Sequence, residues 1–344
     1  MRSNYWDSWK GIAILAVVTA HSCVFTKTFP EESFNWYIGL ALRQFVNLSV
    51  PMFLALAGYF AAHSWGSSGS NFLNRRIIRI LTPYLFWTAI FILLRRPSTF
   101  LSPITIVIDV ISGRGIGIGY FVIVLLQFIA ITPLIMKIGK SWHHVALMAL
   151  ITILSLVLTY VTRIYADYKF SQFPFNSLPF FIWYPFYHLG IYMYQRKSDD
   201  EFLWSKQTRI IFVIFILFVG ASIVEGVLLA SHGLWSFAVS PIKATGFLAA
   251  IALFLFAVGL HKNDVKAKDT FLSWMGRNSY PVYLMHGLFL FVSLNTLKRF
   301  YFIYNMQPIF ILVNVVIVIA ACSSVILMAK VLTPAWFQKK CIGI

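Results

Sequence analysis

The sequence predicts an all-α fold, a polytopic integral membrane bundle of about ten transmembrane helices with both termini in the cytoplasm. Hydrophobic residues make up 59% of the 344 residues and charged residues only 11%, whereas soluble domains are roughly 45–50% apolar and about 25% charged. Apolar runs of the length that crosses a bilayer recur along the whole chain, and basic residues cluster in the short segments between them. Together these observations exclude an ordinary soluble domain.

Ten apolar segments approach the length of about 20 residues that a membrane-spanning helix needs. They are 11–27, 39–62, 79–95, 119–136, 143–162, 178–194, 210–230, 241–260, 280–297 and 308–332. The first lacks a small-x-small cleavage site, so we expect a retained helix rather than a signal peptide. The apolar stretch 101–112 is too short to cross and is expected to be interfacial or re-entrant. No linker separates two folded units, so residues 1–344 are expected to form one membrane domain without a separate soluble domain.

The basic residues indicate the orientation of the chain. With the N-terminus in the cytoplasm, seventeen of the 28 Lys and Arg residues fall in inner segments and ten in outer segments, as the positive-inside rule requires. The net charge of +17 is thereby explained by topology, and no nucleic-acid partner is expected. Cys23, Cys322 and Cys341 are odd in number and far apart, so neither a disulfide framework nor a metal site is expected.

The first predicted span, DSWKGIAILAVVTAH from Asp7 to His21, carries a histidine in an apolar run. If the span opens at Gly11, His21 lies about 15 Å deep, near the bilayer midplane. Lys10 precedes it by eleven residues and falls within about 20° of it on one helix face. An ionisable residue at this depth indicates function by default, although a structural hydrogen bond to a neighbouring helix fits the position equally well.

Two further segments carry candidate site residues. In NRRIIRILTPYLFW, Arg76 and Arg79 share one helix face at the predicted cytoplasmic edge. Their guanidinium groups suit phosphate oxygens, but arginines at such an edge also serve topology and lipid headgroups alone. In MGRNSYPVYLMHGLFLF, His286 lies about 9 Å inside its helix and could approach His21 from the same side, or could only pack.

Three other features are predicted to lie near the outer surface. Glu225 and Lys243 lie near the outer ends of adjacent spans, so we expect an ion pair or the lining of an outer vestibule. The stretch GRGIGIGY at 113–120 lacks the Lys-Ser/Thr of a P-loop and is expected to be a flexible outer loop.

Four segments in this order resemble the bacterial membrane-bound acyltransferase 3 family: DSWKGIAILAVVTAH, NLSVPMFLALAGYF, RRIIRILTPYLFW and MGRNSYPVYLMH. They frame almost the whole chain. The resemblance implies a bundle of about ten helices in the bacterial inner membrane. It also implies transfer of an acyl group, usually acetyl from acetyl-CoA, to a sugar hydroxyl of a lipid-linked or exported glycan such as the O-antigen of lipopolysaccharide.

The resemblance also implies roles for individual residues. His21 is the catalytic histidine, Lys10 its companion, and Arg76 and Arg79 lie near the donor site. The family usually has Arg at position 10, and because Lys cannot form the bidentate fork, we expect Lys10 to add positive potential rather than to clamp a phosphate. Ala57 replaces a common Ser before Gly-Tyr, so no chemistry is assigned there.

The mechanism expected from these residues is acyl transfer from a thioester to an alcohol. His21 either deprotonates the acceptor hydroxyl or carries the acyl group as a relay. His286 is expected to support His21 or to donate to the oxyanion, and Asp7 to orient Lys10 from one turn away. The expected partners are acyl-CoA, the glycan acceptor and membrane lipids, with a glycan-assembly protein as a further candidate. The alternative is a transporter or flippase, because buried histidines with Glu225 and Lys243 would also serve transport.

Overall fold

The computed structural model describes residues 3–68, 71–165, 172–196, 205–262 and 268–344, and its regular secondary structure is entirely helical there. The α-helices are α1 (Asn4–Ser22), α2 (Phe34–Val46), α3 (Ser49–Ser68), α4 (Phe72–Arg95), α5 (Pro103–Ser112), α6 (Tyr120–Met136), α7 (Ser141–Tyr160), α8 (Phe180–Gln195), α9 (Ser205–Ser231), α10 (Trp235–Ala238), α11 (Ala244–Lys262), α12 (Phe271–Arg277), α13 (Ser279–Leu297), α14 (Tyr301–Tyr304), α15 (Gln307–Leu332) and α16 (Ala335–Phe337).

The predicted bundle is confirmed. Within the described residues, eight helical segments are long and apolar enough to cross a membrane. The two other predicted spans are the shorter helices α6, with 17 residues, and α8, with 16. The helix α5 has only ten residues, as expected for a segment too short to cross.

The second predicted span, 39–62, is wrong as a single helix. The structure has two helices there, α2 and α3, which are separated at Asn47 and Leu48. Pro51 lies in the first turn of α3 and has no N–H to donate to the carbonyl of Asn47, so the helical ladder ends at this point. The Asn47 side chain instead donates to the Val239 carbonyl, 2.6 Å away.

The glycine-rich stretch after α5 is folded into the bundle, and the prediction of a flexible outer loop is wrong. Gly113 and Gly117 adopt left-handed φ angles of 77° and 76°, which let the chain turn tightly. The Gly119 N–H donates back to the Gly113 carbonyl at 3.0 Å. Ile116 is only 1% exposed, so the loop contributes to the hydrophobic core.

The helix α1 lies at the centre of the bundle and packs against α3, α12, α13 and α15. Its contact with α12 is close because both helices place a glycine there. Gly11 faces the Leu272 carbonyl and Gly276 faces the Asp7 carbonyl, and a methyl group at either glycine would overlap that carbonyl oxygen. The crossing of α3 and α8 is built in the same way, with Gly190 against a carbonyl of α3.

The loop before α12 anchors that helix. Thr270 and Ser273 form a capping box at its N-terminus. The exposed Asp269 carboxylate accepts hydrogen bonds from Ser273 Oγ at 2.6 Å and Arg277 Nη2 at 2.7 Å. These two hydrogen bonds, with the one from Ser273 as the larger cause, lower the pKa of Asp269 below its usual value.

The start of α1 and the last residues of the chain lie at the same end of the bundle. The start of α1 contacts α12 at Gly276, and Gly343 near the C-terminus contacts Tyr280 at the start of α13. Because α12 and α13 meet at Asn278, these contacts share one face, as predicted for two termini on one side of the membrane.

Four of the basic residues counted for orientation lie outside the described residues: Arg2, Lys169, Lys197 and Lys266.

Candidate active site

His21 lies in the last turn of α1, because the helix begins at Asn4 and not at Gly11, the residue from which its depth was predicted. Its imidazole faces α13, where its ring centroid lies 5.5 Å from that of His286, with 44° between the ring planes. The structure therefore brings the two predicted histidines together. No other pair of predicted site residues from different spans makes a ring contact in the described part of the chain.

The hydrogen bonds of His286 determine which of its nitrogens carries the proton. The side chain is completely buried, and Nδ1 lies 2.7 Å from the Tyr283 carbonyl, which only accepts. Nδ1 is therefore the donor, and in the neutral ring Nε2 is an acceptor. Nε2 is sealed from solvent and has no hydrogen-bond partner among the described residues.

The environment of His21 differs from that of His286. The side chain is only half-buried, and neither ring nitrogen hydrogen-bonds another group in the described ranges or belongs to the sealed, unpartnered atoms of the interior. Its nitrogens therefore face accessible space inside the bundle. An imidazole with this surrounding is free to bind a reacting group, unlike a histidine held by structural hydrogen bonds.

Arg43 is a site residue that the sequence reasoning missed. It lies on α2, and its guanidinium donates from Nη1 to the carbonyl of Ala20, next to His21, and from Nε to the Val239 carbonyl at 3.4 Å. It is close enough to interact electrostatically with both His21 and Tyr120. The sequence placed Arg43 among the outer basic residues that set topology. Arg43 is the tenth residue of a helix that begins at Phe34, and the predicted start of this span at residue 39 hid that position.

A buried hydrogen-bonded chain fixes α1 next to the histidine pair. Asn314 Nδ2 on α15 donates to Ser22 Oγ at 2.7 Å, and Ser293 Oγ on α13 donates to Asn314 Oδ1 at 2.5 Å. All three side chains are buried. The chain joins three helices one residue after His21, so it positions that residue against α13. A polar Asn in the apolar run ILVNVVIV was the signal for it.

The predicted basic residues of α1 and α4 meet at one aromatic residue of α3. Lys10 Nζ lies 4.3 Å from the ring centroid of Phe60 and 3.1 Å from Asp7 Oδ1. Arg76 Nη2 donates to the Phe60 carbonyl at 2.6 Å. Lys10 and Arg76 therefore form one basic cluster around Phe60, and Asp7 is close enough to orient Lys10.

Arg79 lies outside this cluster. Arg76 is half-buried and also donates to Ser64 Oγ at 2.5 Å, so part of its hydrogen-bonding capacity is used within the protein. Arg79 is exposed at the surface one turn further along α4. Lys10 and His21 are eleven residues apart on α1, or about 17 Å. The basic cluster and the histidine pair are thus two regions along one helix.

Glu225 and Lys243 form no direct ion pair among the described side chains, although they are close enough to interact electrostatically. Each of them hydrogen-bonds other groups. Glu225 accepts from Tyr160, and the fully buried Lys243 donates to Gln44 Oε1 and to Ser222 Oγ. Gln44 follows Arg43, so Lys243 helps to fix the part of α2 that faces the histidine pair. These hydrogen bonds give Glu225 and Lys243 structural roles within the fold.

Comparison with known proteins identifies the family. No curated protein and no solved structure matches the chain. A family model described as an acyltransferase domain matches residues 3–328, which is nearly the whole chain. The match includes every segment that builds the histidine pair and the basic cluster. The chain is therefore a multi-pass membrane acyltransferase that belongs to the acyltransferase 3 family.

Proposed function

We propose that the protein is an O-acyltransferase of the bacterial inner membrane. It moves an acyl group, acetyl in the simplest case, from acyl-CoA to a hydroxyl of a cell-surface or lipid-linked polysaccharide such as O-antigen. The observation that carries this proposal is His21, whose two ring nitrogens face accessible space beside a buried second histidine. A neutral imidazole has an unprotonated ring nitrogen that can accept the proton of a hydroxyl group.

In the proposed reaction, His21 takes the proton of the acceptor hydroxyl while the hydroxyl oxygen attacks the thioester carbonyl carbon. The new carbon–oxygen bond gives a tetrahedral oxyanion. Its collapse breaks the carbon–sulfur bond, and the departing CoA thiolate takes the proton from His21. The ester, free CoA and neutral His21 are the products, so no other reactant is needed.

His286 supports His21 in this mechanism. Because its Nδ1–H is bound to the Tyr283 carbonyl, the neutral ring presents an acceptor and no donor at Nε2. An acceptor beside His21 stabilises the positive charge that His21 gains during proton transfer. The same tautomer cannot donate a hydrogen bond to an oxyanion, so of the two roles expected for His286 the supporting one is favoured.

Arg43 supplies the positive charge for the oxyanion. A guanidinium has five N–H donors, and two of its nitrogens are fixed by the carbonyls of Ala20 and Val239. The group is thereby held next to His21 before substrate arrives. A fixed cation in a site that excludes bulk water stabilises developing negative charge strongly.

The basic cluster around Phe60 is assigned to the donor. Lys10 and Arg76 create positive potential for the CoA phosphates, and the exposed Arg79 offers a guanidinium fork to them. CoA carries its thioester at the end of a long pantetheine arm. This arm would span the distance of about 17 Å along α1 between Lys10 and His21.

The test is transfer of labelled acetyl from acetyl-CoA to surface glycan in membrane vesicles. We expect His21→Ala to lower the initial rate at least about 100-fold, whereas His232→Ala, which removes an exposed imidazole after α9, leaves it unchanged at equal protein level. A His21→Ala rate within about threefold of wild type would overturn the proposal. Mass spectrometry of glycans from a deletion strain then identifies the acyl group and its acceptor.

A second experiment separates direct attack from an acyl-histidine relay. The protein is mixed with labelled acetyl-CoA without acceptor and quenched. Label that stays on wild type but not on His21→Ala identifies the relay. Absence of protein-bound label, together with full transfer once acceptor is added, identifies His21 as a base.

A further inference from the structure

A cavity of about 270 Å³ lies where α7 ends and α8 begins, and neither histidine of the pair lines it. Six apolar residues supply most of its wall: Leu158, Phe175, Pro179, Phe181, Ile182 and Ile242. Its polar lining consists of Thr159, Thr162, Asn176 and Arg163. The cavity is therefore an apolar space with a single cationic group among its lining residues.

Arg163 has no anionic partner within the described ranges. Its side chain is half-buried, and its guanidinium carbon lies 5.6 Å from the ring centroid of Phe237. It belongs to a wide helical turn, Val161–Tyr165, that continues α7. A guanidinium beside apolar walls loses hydration, and this cost is offset when an anion binds there.

The Thr162 hydroxyl is already used as a donor within the protein. Thr162 Oγ1 already donates to the Leu158 carbonyl at 2.8 Å and lies 3.1 Å from that of Thr159. Leu158 is 46% exposed, so the cavity reaches the outward, apolar surface of α7. A ligand from the lipid phase would therefore enter with its apolar part against this surface.

The cavity lies at the end of the bundle opposite to the basic cluster. Near the C-terminal end of α8, the Tyr194 ring is 5.2 Å from that of Tyr59, the neighbour of Phe60. The start of α8 is therefore at the other end. There Trp183 lies 6.2 Å from Tyr120, which belongs to the surroundings of Arg43.

We propose that this cavity binds the phosphate ester of a lipid, with Arg163 as its counter-ion and the apolar wall in contact with the chain next to the phosphate. The inference rests on the proposed function, because it assigns the anchor of a lipid-linked acceptor. A lipid-linked saccharide and a membrane phospholipid share this chemistry. Because the cavity lies at the end of the bundle opposite to the basic cluster, an acceptor anchored there lies opposite the donor.

Binding is measured directly on the purified full chain in detergent, with farnesyl phosphate as the probe. We expect saturable binding to wild type, and Arg163→Gln to weaken it roughly tenfold or more, since a hydrogen bond to a charged group contributes about 1.5–3 kcal/mol. Farnesol, which lacks the phosphate, should bind both proteins equally. Arg299→Gln, at an exposed arginine on the same predicted face, is the matched control and should bind as wild type does.

A second variant tests the apolar part. Thr162→Phe fills the cavity without removing a charge, and it should weaken farnesyl phosphate and farnesol alike while the thermal midpoint shows that the protein is folded. The proposal is overturned if Arg163→Gln binds farnesyl phosphate as wild type does. It is also overturned if inorganic phosphate competes as well as farnesyl phosphate, which would show a simple anion site.

Competition identifies the source of the phosphate. If phosphatidylglycerol displaces farnesyl phosphate, the natural ligand of the cavity is a membrane phospholipid. If phosphatidylglycerol does not displace it, the result supports a lipid-linked saccharide as the ligand. His21→Ala separates this inference from the proposed function, because it should lose transfer and keep phosphate-dependent binding. If wild type transfers acetyl but shows no phosphate-dependent binding, only the proposed lipid-phosphate site is refuted. If it shows phosphate-dependent binding but transfers no acetyl, only the proposed reaction is refuted.

Discussion

Replacement of Arg43 by Gln tests whether the missed residue is part of the chemistry. Arg43 holds the carbonyls of Ala20 and Val239 and keeps a positive charge beside His21. Gln is neutral and shorter, so the substitution removes the charge and weakens at least one of the two hydrogen bonds. Stability and rate are therefore both affected, and the two effects must be separated.

The expected magnitudes allow this separation. A buried carbonyl that loses its donor costs about 1–3 kcal/mol, so Arg43→Gln should lower the free energy of unfolding by about 2 kcal/mol. The free energy of unfolding of native proteins is about 5–15 kcal/mol, so a loss of this size leaves most of the variant folded. Loss of an oxyanion partner lowers kcat by about 10²–10³, which is far more than the unfolded fraction explains.

The assay is the initial rate of acetyl transfer at saturating acetyl-CoA, with the folded fraction measured by size exclusion and thermal unfolding. Arg43→Lys is the matched variant, because it keeps the charge and loses the fork. We expect its kcat to lie between wild type and Arg43→Gln. If the Arg43→Gln rate falls only in proportion to its folded fraction, Arg43 is a structural residue and the oxyanion assignment is wrong.

Three other expected outcomes follow from single contacts. Gly190→Ala should lower the thermal midpoint by several degrees because the new methyl overlaps a carbonyl of α3, whereas Gly220→Ala, in open space on α9, should not; equal midpoints would refute the close crossing. Arg79→Gln should raise the KM for acetyl-CoA at unchanged stability, whereas Arg76→Gln should also lower stability because it loses internal hydrogen bonds; unchanged KM in both would remove them from the donor site. Hydrogen bonds lower the pKa of Asp269, so its contribution to stability is complete above the unfolded pKa of about 3.9 and is lost as pH falls through the lower, folded value. Asp269→Asn should accordingly be less stable than wild type at pH 7, and a difference that persists at acid pH would contradict this assignment.

The helices were predictable because a chain in lipid must satisfy its backbone hydrogen bonds within each helix. Long apolar runs therefore indicate spans with little ambiguity. Each of the ten predicted segments is helical, although the second is divided into two helices and two others form the shorter helices α6 and α8. His21 and His286 stood out for the same reason, since ionisable residues inside apolar helices are rare and costly. Their mutual distance followed only from the fold, because it depends on how α1 and α13 pack.

Arg43 and the glycine-rich loop show what hydropathy alone misses. The helix α2 begins at Phe34 rather than at 39, so Arg43 lies in its third turn and not near the predicted start of the span. Charge counting assigns any residue near a predicted boundary to topology, so an error of five residues in that boundary hides a site residue. The loop at 113–119 was misjudged because glycine content indicates freedom of the chain but not the tight turns that the left-handed Gly113 and Gly117 make.

The arrangement along α1 limits how the two substrates can meet. The basic cluster around Phe60 lies about 17 Å before His21, and the cavity at Arg163 lies at the other end of the bundle. A donor held at one end and an acceptor held at the other would bring only the thioester and the hydroxyl to His21. Neither substrate then blocks the entrance of the other. This geometry favours a complex that holds both substrates over an enzyme that must release CoA before the acceptor binds, and it makes direct attack with His21 as base the simpler of the two routes.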